Sequence, residues 1–358
     1  MACQMVYHKG NCLNTKKPFV RACKLCVEIC PHNAISEHRE LNSKQCTECG
    51  ACMAVCPSDG FVDRTMDQLH NYLFEDKDKK EIVLNCPLAI PQGFEIPCLG
   101  MLDRDSWMVL MLLAEKTPIT IMTGVCAQCQ DCQACATSVE TFKQVHQDWP
   151  DHPAIHIQVR PDESEVKLDT KVDSQSAAPR IKLTGWKQKG RDKIEAWLPN
   201  LTAEESYNVP KSRQWLVEAL QEKTECKIPF HALTVADSCT NCGVCAAICP
   251  QGALQKQEVM NSDKSAEDPE KEEKIASLRL ILEPQKCIQC GRCMEICRPL
   301  ALCLSVKSMS HHLLTGKILI HEGSPKYCIR CGKRVMDNQD LCLACSTSDP
   351  GNLRSLLR

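Results

Sequence analysis

The sequence predicts an α+β multidomain chain, with two cysteine-rich modules around a small α/β layer and a short cysteine ribbon near the C-terminal end. Three observations predict it. Cysteines recur in four tight series, two in each half of the chain. The stretch between them alternates strand-like and helix-like segments. Two further C-x2-C pairs follow the last series.

The first module spans 1–65. Cys46, Cys49, Cys52 and Cys56 read C-x2-C-x2-C-x3-C and run into Pro57, while Cys23, Cys26 and Cys30, ending on Pro31, give the same series without its first cysteine. The second module spans 237–306. Cys239, Cys242, Cys245 and Cys249 end on Pro250; Cys287, Cys290, Cys293 and Cys297 end on Arg298 and Pro299. Each module resembles the bacterial-type ferredoxins that carry two [4Fe–4S] clusters. The chemistry suits the spacing, because a cube needs one thiolate per iron and a short curved loop can offer three at neighbouring corners. Gly50, Ala51, Gly243 and Gly291 let the loop backbone come close. The proline donates no hydrogen bond and fixes the chain's exit.

In that family the fourth cysteine of each motif serves the other cluster. The resemblance therefore implies four sets. Site one takes Cys23, Cys26 and Cys56 plus one more thiolate; site two takes Cys46, Cys49, Cys52 and Cys30; site three takes Cys239, Cys242, Cys245 and Cys297; site four takes Cys287, Cys290, Cys293 and Cys249. Val20 stands where the missing ligand of site one belongs. Cys12 is the favoured replacement, on a loop lengthened by Lys16, Lys17 and Pro18; Cys3, or a three-iron cluster, is the alternative.

Residues 66–80, with Glu75, Asp76, Lys77, Asp78, Lys79 and Lys80, read as a solvated helix end or linker. Residues 81–160 read as the α/β layer: strands at Glu81–Asn85, Ile119–Thr123 and Ala154–Val159, helices at Asp103–Lys116 and Ala134–Gln147. Cys86, Cys98, Cys126, Cys129, Cys132 and Cys135 fall near strand ends, where open α/β sheets bind ligands. They are candidates for a further [4Fe–4S] or [2Fe–2S] centre. For Cys86 and Cys98 the alternative is buried packing. The runs Ile96–Asp103 and Gly124–Cys129 resemble the iron–sulfur delta subunit of methyl-viologen-reducing hydrogenase. The resemblance implies docking to a hydrogenase or reductase complex.

Residues 161–236 read as a linker and a helical segment, with an amphipathic helix at Ser212–Lys223. Asn261–Lys274 reads as a charged surface loop splitting the second module. Within 322–348, Cys328, Cys331, Cys342 and Cys345 form paired knuckles that suit one tetrahedral zinc, with iron the alternative for the same ligands. Cys226 and Cys303 are assigned to packing, and His311 and His312 to a polar loop.

Composition narrows the function. The chain of 358 residues has 29 cysteines, an odd count whose two-residue spacing favours metal over disulfides. Thiols free to bind metal imply a reducing, cytoplasmic setting. No stretch reaches the roughly 18 apolar residues of a membrane span. The net charge is −2, and basic residues are dispersed without aromatic interleaving, which argues against nucleic acid. The expected cofactors are four [4Fe–4S] clusters and one zinc ion. The expected role is electron transfer between a redox donor and an acceptor protein. A reductase subunit acting on a disulfide or sulfur compound, and a docking or assembly protein, are the alternatives.

Overall fold

A computed structural model describes the chain except for residues 1–3, 17–18, 20, 77, 153–154, 160–208, 224, 261–274, 336–339 and 348–358. Cys3, most of the expected linker and the Asn261–Lys274 insert lie outside the described residues.

The centre is a four-stranded, wholly parallel sheet in the order Phe94–Glu95, Ile82–Asn85, Ile119–Thr123, His156–Val159. Register pairs Ile82 with Ile119 and Ile121 with Ile157. Ile119, Ile121 and Thr123 alternate inward, as a half-covered strand should. The helix Arg104–Ala114 covers this sheet. Its run Trp107–Leu112 is at most 1% exposed, so the helix is buried all round and contributes about 1.5–3 kcal/mol of burial per large side chain. Asp103 caps it, accepting from the Ser106 N–H at 2.8 Å. The second helix, Cys132–Asp148, is tied to it by the Arg104–Asp148 ion pair at 2.8 Å and by a buried polar relay. The Trp107 Nε1–H donates to Ser138 Oγ at 3.0 Å, and that hydroxyl donates to the Leu102 carbonyl at 3.0 Å.

The first module closes on a two-stranded ladder, Val6–Tyr7 against Phe61–Val62. It passes straight into a helix, Arg64–Phe74, capped by Asp63. Leu69 and Leu73 of that helix are buried, so its inner face belongs to the core although the charged residues after it resemble a linker.

In the second module, strand Lys227–Val235 pairs antiparallel with Leu302–Ser310 along its whole length. It precedes the expected start at 237, and Pro229 inside the run disguises it. Leu254–Met260, Ile275–Leu282 and Ile318–Gly323 form a second antiparallel sheet. Helix Lys211–Gln221 packs on Arg104–Ala114 and buries Trp215, Leu216 and Leu220 between layer and module. His311 and His312 open a short helix capped by Ser310, in place of the expected loop. Cys303 is exposed and lies 2.9 Å from the Thr234 hydroxyl, so it does not pack inward. The described residues on either side of 161–207 make one compact unit.

Candidate metal centres

The cysteine loops share one unusual backbone. Among the described residues, seven non-glycine positions have positive φ, and six of them fall at repeated motif positions. Glu48, Asn241 and Gln289 each precede the second cysteine of a complete series; Asn33, Asp59 and Leu300 each stand three residues after a last cysteine, and Gly252 holds that place in the fourth series. Gly50, Gly243 and Gly291, directly after the second cysteine, have φ of 80°, 79° and 75°. Left-handed residues cost roughly 1–2 kcal/mol each unless glycine, so their recurrence marks a shape the loops require. Alternating hands turn successive N–H groups inward as an anion-binding nest. Downstream N–H groups aim at sulfur: Ala34 at Cys30 (3.2 Å), Gly60 at Cys56 (3.1 Å) and Ala301 at Cys297 (3.3 Å). The glycines, and the Asn and Asp at 33, 59 and 241, are residue types that favour this conformation, whereas Glu48, Gln289 and Leu300 carry no such preference and gave no sign of it in the sequence.

The sulfurs gather across motifs. Cys239, Cys242, Cys245 and Cys297 line one cavity of about 380 Å³. Cys249, Cys287, Cys290 and Cys293 line a second, and Cys30, Cys46, Cys49 and Cys52 a third. In each cavity one cysteine comes from the other series of its module. Around site one, burial pushes the Cys26 thiol up to about 11, with the charges of Cys56, Cys23 and Cys12 adding to the rise. Cys12 therefore stands with the other three, and the Tyr7 side chain hydrogen-bonds to it. Burial likewise raises Cys49, Cys245 and Cys287 to about 11 and Cys293 to about 12. Crowded, buried thiols resist ionising until a cation neutralises them, which is the donor chemistry of a metal–thiolate core. The residues present fit such a core.

The sites within each module are neighbours. Cys26 of site one acts electrostatically on Cys52 of site two, and Cys245 of site three acts on Cys293 of site four. The two modules also touch. The Arg292 Nη2 donates to the Leu13 carbonyl at 3.1 Å, its guanidinium lies over the Phe19 ring at 5.0 Å, and Lys16 donates to Gln251 at 2.7 Å. Leu13 follows Cys12 and Arg292 lies between Cys290 and Cys293, so the loops of sites one and four abut.

In the α/β layer the structure gathers some of the candidate cysteines. The sulfurs of Cys126 and Cys135 are 3.5 Å apart. A hydrogen bond from Cys135 leads the causes that lower Cys98 to about 7. Cys129 accepts from the Asp131 N–H at 3.4 Å and feels Cys98 and Cys126. Cys132 is exposed, and Cys86 accepts from the Gly124 N–H at 3.3 Å. Asp131 links this cluster to site two: His32 contacts its Oδ1 at 2.8 Å and the Thr47 hydroxyl donates to it at 2.7 Å.

The sulfurs of Cys328, Cys331, Cys342 and Cys345 lie within 4.8 Å of one another, with Cys331 and Cys342 3.6 Å apart. Four thiolates on one zinc at about 2.3 Å stand about 3.8 Å apart, so this set suits a single ion. N–H groups, led by that of Cys342, lower Cys328 to about 6, while hydrogen bonds with Cys331 and Cys342 raise Cys345 to about 12. Glu115, His152 and Cys226 form another close group, but the Lys223 ammonium already sits on the Glu115 carboxylate.

Comparison with known families agrees with the cysteine geometry. The model of the 4Fe–4S dicluster domain matches residues 234–302, spanning both series of the second module. The model of the LdpA Fe–S cluster-binding domain matches residues 21–66, spanning both series of the first. No curated protein and no solved structure matches the chain. Iron–sulfur cluster-binding domains thus stand in both halves. No helix among the described residues is long and apolar enough to cross a membrane.

Proposed function

We propose that this protein is a polyferredoxin-type electron carrier with four [4Fe–4S] clusters on sites one to four and one zinc on the C-terminal knuckles. The observation that carries this reading is the crossed sharing of cysteines, with Cys30, Cys249 and Cys297 each lining a cavity with the other series of its module. Bound clusters supply single-electron chemistry. The protein's own residues hold four thiolates per site, aim N–H groups at the sulfurs and keep the loops of sites one and four in contact. A continuous series of neighbouring sites, from three through four and one to two, suits a carrier with separate ends for donor and acceptor. The cluster at Cys98, Cys126, Cys129 and Cys135, beside site two, is the candidate for a further iron–sulfur centre. The resemblance of Ile96–Asp103 and Gly124–Cys129 to the hydrogenase delta subunit makes a hydrogenase or reductase complex the partner class to test.

The crossed assignment is tested with Cys297→Ser in anaerobically prepared protein. It should alter the same EPR signal that Cys239→Ala abolishes and leave the signal lost in Cys287→Ala unchanged. The opposite pairing would refute the crossed arrangement.

A second reading has one observation in its favour. The 3.5 Å approach of Cys126 and Cys135 also suits a dithiol that reduces a disulfide or sulfur compound. Turnover of such a substrate by the isolated chain, lost in Cys135→Ser with full iron content, would establish it.

A further inference from the structure

We propose that site four, Cys249 with Cys287, Cys290 and Cys293, has the highest reduction potential of the four cubane sites, and that two buried arginines set it there. This rests on the cluster assignment above.

Cluster potentials follow net charge, hydrogen bonding to sulfur and solvent exposure. One-electron reduction makes a cube more negative, so a nearby cation favours the reduced form. The effect is strong where water is excluded and weak where water and salt screen it.

Arg213 and Arg292 are 5% and 4% exposed. The Arg213 Nη1 lies 3.3 Å from the carbonyl oxygens of both Cys287 and Pro284, within the ligand loop. Its Nε is held by Asp105 at 2.5 Å, which offsets part of its charge. Arg292 sits inside the ligand loop itself, fixed by the Leu13 carbonyl at 3.1 Å.

The other sites differ. Site one has Arg39, whose guanidinium reaches the Cys23 carbonyl but is only half-buried. Site two faces Asp131, a carboxylate 8% exposed and held by His32 and Thr47, which acts in the opposite direction. The site-three cavity is lined by Lys256, Arg279 and Arg298; the first two are half-buried and ion-paired at 2.9 Å, to Glu258 and Glu322, and Arg298 is exposed to water. Only site four has two deeply buried guanidinium groups at its ligand loop among the described residues.

The test is a potentiometric titration of the full-length holoprotein. Dithionite donates single electrons through mediators and EPR is recorded at each potential; no bond is made or broken. Cys290→Ser marks site four, by changing or deleting its signal. The first signal to appear on lowering the potential should be the one Cys290→Ser affects. Arg292→Gln should move that signal to lower potential and leave the others in place, while Arg292→Lys should keep it near its original position. The proposal is overturned if the first signal is untouched by Cys290→Ser, or if Arg292→Lys shifts it as far as Arg292→Gln. Should Arg292→Gln fail to fold, the Cys290→Ser comparison with the unaltered protein decides alone. Failure of the underlying reading would look different: little iron and sulfide, and no [4Fe–4S] signal in any sample.

Discussion

Arg213→Met removes the cation that joins the α/β layer to the second module. Arg213 bonds Asp105 of the Arg104–Ala114 helix, donates to two carbonyls of the Cys287 loop, and lies over the Phe230 ring at 4.5 Å. Methionine keeps much of the apolar stem but strands the Asp105 carboxylate, which is 7% exposed, and leaves two carbonyls without this donor. Breaking a buried pair on one side typically costs about 3–5 kcal/mol. With a urea slope near 3 kcal/mol per M for a chain of this size, the unfolding midpoint should fall by about 1 M or more. The assay is anaerobic urea titration followed by the fluorescence of Trp107 and Trp215, which lie on the two helices that the Asp105–Arg213 pair joins. Asp105→Asn combined with Arg213→Met should recover most of the loss, because no charge is then left stranded. A midpoint within about 0.2 M of the unaltered protein would refute the reasoning, since it falls in the range of an exposed pair.

Cys12→Ser should convert one cluster to a three-iron form, visible as a new EPR signal in the oxidised protein, whereas Cys3→Ser should change nothing. Gly50→Ala should cost about 3 kcal/mol, because its Cβ would meet Met101 Cβ at 2.4 Å on top of the strain at φ +80°. Gly291→Ala, with φ +75° but nothing nearer than Met294 Cε at 3.7 Å, should cost about 1 kcal/mol; thermal unfolding compares the two. Burial, with Asp105 adding to it, raises Asp103 to about 6. Its folded state then binds a proton more tightly than the unfolded chain, so its contribution to stability falls as pH rises through that value. Stability should drop by about 1 kcal/mol between pH 5 and 7 on this account, and Asp103→Asn, which keeps the helix cap, should flatten that slope.

The cysteine spacing carried most of the candidate sites, because ligand loops are local in sequence and their geometry is written in two- and three-residue gaps. Cys12 was reachable only by elimination, since ten residues separate it from Cys23. The central strands read from runs such as Ile119–Thr123, where apolar residues alternate. The buried inner face of the helix Arg64–Phe74, Leu69 and Leu73, was hidden by the charges that follow it, and Lys227–Val235 by its proline. Arg213 and Arg292 gave no sequence signal, because an arginine's burial depends on partners such as Asp105 and Leu13 that are far away along the chain. The same holds for Asp131, whose contacts to His32 and Thr47 span three parts of the sequence.

The most direct test of the central claim is the iron, sulfide and zinc content of anaerobically purified protein, with EPR of the reduced sample. Four cubane sites and one ribbon predict about sixteen irons, matching sulfide, one zinc and interacting [4Fe–4S] signals. Iron clearly above that number would place a further centre on Cys98, Cys126, Cys129 and Cys135. Little iron with several zincs, unchanged after cluster reconstitution, would contradict the electron-carrier account.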